Sequence, residues 1–109
     1  VSLSNGSAAT TTKLFEAVGI GEHFEKVLSV EDAPPWETGA SSYWWAAKRC
    51  DVGLSDTMLV AVHPWDSHGA HHAGLRTAWI NRDHRSHPSY FAPAELQVSS
   101  VAALARQVI

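Results

Sequence analysis

The middle of the chain reads Met58-Leu59-Val60-Ala61-Val62-His63-Pro64-Trp65-Asp66, passes through a Gly/Ala-containing segment at 69–74, and turns apolar again at Thr77-Ala78-Trp79-Ile80. This order predicts a strand over 58–62, a polar loop over 63–66, a short helix over 69–74 and another strand over 77–80. In an open α/β sheet, ligands gather outside the carboxyl ends of parallel strands. A site is therefore expected between His63 and Asp66.

Working outward, residues 1–3 read as a short strand, and Ser4-Asn5-Gly6-Ser7 as the turn at its carboxyl end, because Asn-Gly favours turns. Leu14, Phe15 and Val18 have helical spacing, which predicts a helix over 10–18 stopped by Gly19 and Gly21. Residues 24–30 read as a second strand. Residues 31–39 are irregular, since Pro34-Pro35 forbids regular structure, and Ser41 or Ser42 then caps a helix running to about Cys50. After a loop over 51–56 and the central unit, a loop rich in His, Ser and Pro covers 81–95. Residues 96–98 form an edge strand, and Ser99 or Ser100 caps a last helix through Val101, Leu104, Ala105 and Val108. Strands alternating with helices predict an α/β fold with a parallel sheet and right-handed crossovers.

At 109 residues the chain is read as one domain, 1–109. Apolar residues at 45% and charged residues at 17% describe a globular chain. A formal charge of -3 with mixed signs offers no basic stripe, so the expectation is no nucleic acid and no membrane. The single cysteine, Cys50, cannot form an internal disulfide, which fits a buried helix position and a cytoplasmic location. The chain starts with Val1 inside an expected strand, which suggests truncation or processing.

Three segments, in order, carry a family resemblance. Val1-Ser2-Leu3-Ser4-Asn5-Gly6-Ser7 resembles the second motif of the haloacid dehalogenase-like (HAD) superfamily, in the Ser-Asn-Gly form of 2-haloacid dehalogenases. Residues 28–43 resemble the stretch bearing the third motif, with Tyr43 matching a pocket tyrosine. His63-Pro64-Trp65-Asp66 resembles the fourth motif, with Asp66 at the aspartate position. The resemblance implies a partial Rossmann-like (HAD-type) parallel sheet flanked by helices. It also implies that the chain is the C-terminal portion of such a core, lacking the central nucleophile-bearing strand and the cap domain.

By the same resemblance, Ser4, Asn5 and Asp66 are candidate catalytic residues, and Tyr43 and His63 line the substrate pocket. A hydroxyl, an amide and turn N–H groups make a compact anion cradle, suited to the carboxylate and departing halide of a small 2-halo carboxylic acid. Phosphatases of the superfamily place a second carboxylate where this chain has His63. Hence no metal and no cofactor are expected. One position departs: Glu37 stands where the family places a lysine beside the nucleophilic aspartate. A carboxylate there repels that aspartate and raises its pKa, which argues for lost or changed chemistry.

Two readings stay open. One is the C-terminal part of a dehalogenase-like hydrolase, inactive as an isolated chain because its nucleophile is absent, with a missing N-terminal half as its partner. The other is a non-catalytic binding or interaction domain derived from that fold, self-associating through the vacant sheet edge. Among the remaining polar and aromatic residues, His68, His71 and His72 read as solvated, although His68 and His72 share a face if the helix starts early enough. Trp44, Trp45 and Trp79 read as packing, and Arg76 and Arg82 as surface residues.

Overall fold

The computed structural model describes residues 1–33 and 40–108. Glu37, the altered motif position, lies outside them. Five strands and four α-helices follow one another as β1 (Ser2–Ser4), α1 (Ala8–Ala17), β2 (Val27–Ser29), α2 (Ala40–Arg49), β3 (Met58–Ala61), α3 (Pro64–Ala73), β4 (Arg76–Ile80), β5 (Leu96–Val98) and α4 (Val101–Val108). Short 3-10 turns at Gly21–His23, Val30–Asp32 and Leu54–Asp56 join them. All described strand pairs are parallel. The α/β class and parallel sheet expected from the sequence are those observed.

The strands fall into two sheets, β1-β2 and β3-β4-β5. In the larger sheet β4 is the middle strand, and its last four residues are all buried. Such a strand is covered on both faces, which explains its continuous apolar run. On one face Ala78 and Ile80 pack with Val98 and with Leu104 of α4. On the other, Leu59 and Leu75 pack against Ala70 and Ala73 of α3, with Tyr43 of α2 beside them.

The two sheets do not pair with each other. Between β1 and β3 lies a cavity of about 610 Å³, lined by Leu3, Phe15, Leu28, Leu59 and Val60 among others. This is the position at which the resemblance leaves the parallel sheet without its central strand.

Four local expectations change. The central helix begins at Pro64, not at position 69, so Asp66 lies in its first turn and not in a loop. Proline is well suited to the first helical position, where its missing N–H has no intrahelical partner. The helix ends as expected at Gly74, whose φ of 99° is the left-handed conformation that lets its N–H reach back to the Ala70 and His71 carbonyls. The second strand shortens to Val27–Ser29 because a 3-10 turn follows it directly. Ser41 and Ser42 sit inside α2, which is already under way at Ala40. Cys50 is half-buried and follows α2 in a turn. Ser100 caps α4, its Oγ accepting from the Ala103 N–H at 3.0 Å.

Candidate functional site

Ser4, Asn5, Tyr43 and Asp66, distant in sequence, line one cavity of about 670 Å³ at the carboxyl ends of β1 and β3. It adjoins the slot between the sheets, since Leu3, Tyr43, Leu59 and Val60 line both. The placement follows the rule that open α/β folds hold ligands beyond their strand ends.

The Ser4-Asn5-Gly6-Ser7 turn is held from both sides. Ser4 Oγ accepts the Gly6 N–H at 2.9 Å, and Ser7 Oγ caps α1 by accepting the Thr10 N–H at 3.1 Å. Below it, the fully buried Ser29 donates its hydroxyl to the Gly6 carbonyl at 2.7 Å and accepts the Glu31 N–H at 3.1 Å. Strand pairing places Ser29 directly beside Ser4. Ser29 thus holds the Ser4–Ser7 turn in place. Its sequence neighbourhood carries no sign of that, because the bond spans 23 positions.

Tyr43 lies against the start of α3. Its hydroxyl donates to the Asp66 carbonyl at 3.4 Å, and its ring passes Gly69, where an added Cβ would still find ordinary contact with it. Burial, and secondarily the Asp66 charge, raise the phenol above its usual pKa. It stays a neutral donor and apolar wall.

His63 is placed differently from the other four. It stacks on Trp65 at 4.4 Å between ring centroids, with Nδ1 3.6 Å from Asp66 Oδ2, and it is not among the residues lining the cavity. Both side chains are substantially solvent-exposed. The cavity is instead lined by His68 and His72, which the sequence suggested were solvated. They share a face because α3 starts early, and their rings meet edge to face at 4.4 Å. Among the described residues, no group of three or more His, Cys, Asp or Glu side chains is arranged to hold a metal ion. Nor is any described helix long and apolar enough to cross a membrane.

The tryptophans and arginines support the scaffold. Trp79 is buried and donates Nε1–H to the Val62 carbonyl at 2.8 Å, fixing the chain as it leaves β3. Trp44 likewise donates to Ala73 O at the end of α3. Arg76 holds Glu95 through two bonds of 3.0 and 2.8 Å at the surface.

A solved dehalogenase with a bound reaction intermediate superimposes on 96% of this chain with a TM-score of 0.88 and 28% identity, the match spanning 46% of that protein. The (S)-2-haloacid dehalogenase of Pseudomonas sp. strain YL is 30% identical over 80 residues, 73% of this chain and 34% of its own length. In sequence and fold the chain is similar to part of a haloacid dehalogenase. The L-2-haloacid dehalogenase of Xanthobacter autotrophicus shares the fold at a TM-score of 0.85, with 17% identity, over 94% of this chain and 51% of its own. No protein-family model matches the chain. The chain spans about a third of the length of the curated relatives it matches and about half of the solved ones.

Proposed function

We propose that the chain is the C-terminal portion of the core of a 2-haloacid dehalogenase-type hydrolase, cleaving the carbon-halide bond of a small 2-halo carboxylic acid, and that it is inactive by itself. The observation that supports this reading is the convergence of Ser4, Asn5, Tyr43 and Asp66 on one cavity at the strand ends. In this mechanism a carboxylate from a missing N-terminal half attacks the halogen-bearing carbon, halide departs, and water hydrolyses the resulting ester. The Ser4 hydroxyl and the Asn5 amide receive the substrate carboxylate and the leaving halide as neutral donors. Asp66 orients the water. His63 is assigned to the pocket by motif position, in the same proposal. The attacking carboxylate reaches the cavity by way of the adjoining slot between β1 and β3.

The test is halide release from chloroacetate and 2-chloropropionate. The 109-residue chain alone is expected to release none above buffer, and sustained turnover by it would overturn the argument from the absent nucleophile. A supplied N-terminal half is expected to restore release only together with Glu37→Lys. Full activity with Glu37 in place would show that its charge does not face the nucleophile.

The second reading, a non-catalytic binding domain, draws on Glu37 and on the unpaired edges of β1 and β3. It predicts self-association of the chain, measurable by sedimentation, and no halide release with any complement. A reducing cytoplasm remains part of the proposal, resting on the lone Cys50.

A further inference from the structure

Among the described residues that line the candidate cavity there is one carboxylate, Asp66, and no lysine or arginine. An anion bound there must therefore be met by neutral donors. Ser4 qualifies, because its Oγ accepts from Gly6 and leaves its own O–H free to donate. A further donor comes from α3. His68 lines the cavity, and the backbone N–H of Ala92 donates to its Nδ1 at 2.8 Å.

A ring nitrogen that accepts a hydrogen bond carries no proton, so the neutral His68 bears its proton on Nε2. The Ala92 amide is itself well placed to impose that state. It precedes Pro93, which favours extended backbone, and the loop it belongs to is tied at both ends. At the start, the Asn81 side chain accepts from Arg85 N at 2.9 Å and donates to Arg85 O at 2.7 Å. At the far end, Glu95 N donates to Thr77 Oγ1 at 3.1 Å. The Phe91 ring also packs on His68, with centroids 5.2 Å apart. No residue of this loop lines the cavity. The Nδ1 edge of His68 thus faces the loop, and the Nε2 side is left toward the cavity.

We propose that His68 is a substrate-binding residue, whose Nε2–H, held in that tautomer by the Ala92 amide, donates to the carboxylate of the ligand. The inference rests on the reading of the cavity as a site for a small 2-halo carboxylate. The loop over 82–95 thereby sets ligand recognition without touching the ligand.

The test uses the protein as its host makes it, labelled with 15N-histidine at about pH 8, above the usual imidazole titration, with propionate as an unreactive probe. The proton of His68 is expected on Nε2, and that resonance should shift saturably with propionate. His68→Phe keeps the ring packing and is expected to weaken propionate on the order of tenfold, the loss of one hydrogen bond to a charged group. Ala92→Pro keeps His68 and is expected to leave a mixture of tautomers and a smaller loss of affinity. A proton on Nδ1, an Nε2 resonance indifferent to propionate, or unchanged affinity in His68→Phe would overturn the proposal. Should His68→Phe not fold, Ala92→Pro decides: an unchanged tautomer and affinity would overturn it. Halide release with a silent His68 would sink this inference and spare the proposed activity. A responding His68 in a protein that never releases halide would support it and sink the activity.

Discussion

The two sheets of this chain obey the same parallel pairing yet differ in how they are covered. In the larger one, β4 is flanked by β3 and β5 and packed by α3 and α4, and its last four residues are buried. In the smaller one, every residue of β1 is only half-buried, and α1 buries no residue at all, leaving Leu14 60% exposed. The difference teaches where a neighbour is wanted. Apolar residues of β1 and β3 face a slot rather than each other, so the smaller sheet has one strand too few to enclose its own core.

The sharpest way to break this comparison is to truncate matched strand positions. Ile80→Ala in the isolated chain should cost about 2–5 kcal/mol in urea unfolding, the range for a fully enclosed aliphatic residue. Leu3→Ala should cost less than half of that, because its neighbourhood is already open. Equal costs would mean that the slot is closed in solution. Next, Trp79→Phe should cost about 1–3 kcal/mol by the same measurement, since it leaves the Val62 carbonyl without its 2.8 Å donor. It should leave amide exchange in the smaller sheet no faster, which hydrogen exchange at β1 and β2 would check.

The smallest effect belongs to the exposed Arg76 and Glu95 pair that ties the end of the 82–95 loop to β4. The hydrogen bonds from Arg76, and then its charge, hold the Glu95 carboxyl below its usual pKa. A lowered folded pKa contributes stability that is present above the unfolded value of about 4.3 and is lost as pH falls through the folded one. Glu95→Gln should therefore lower stability slightly at neutral pH and flatten the acid limb of the stability curve, the two proteins converging as pH falls through the folded pKa. A difference between the two proteins that grows as pH falls would contradict the sign.

Several residues that line the cavity are legible in the sequence, and the reason is local. Ser4-Asn5-Gly6 is a turn signal at a strand end, and Asp66 follows an apolar run in a motif whose residues are adjacent in sequence. Bonds that bridge distant segments left no such trace. Ser29 supports Gly6 across 23 positions, and Ala92 reaches His68 across 24. The early start of α3 is not legible in the sequence either, because Pro64 reads equally well as a loop breaker and as a first helical residue. That start is what brings His68 and His72 onto the cavity wall.

By itself, the sequence determined the alternation of strands and helices, the parallel class, the burial of 77–80 and the turn at the end of β1, since each depends on short-range pattern and backbone preference. Tertiary structure alone decided the split of the sheet into two, the slot between β1 and β3, and the histidine wall. These depend on which edges find partners and which side chains meet across space, and periodicity along the chain does not encode either.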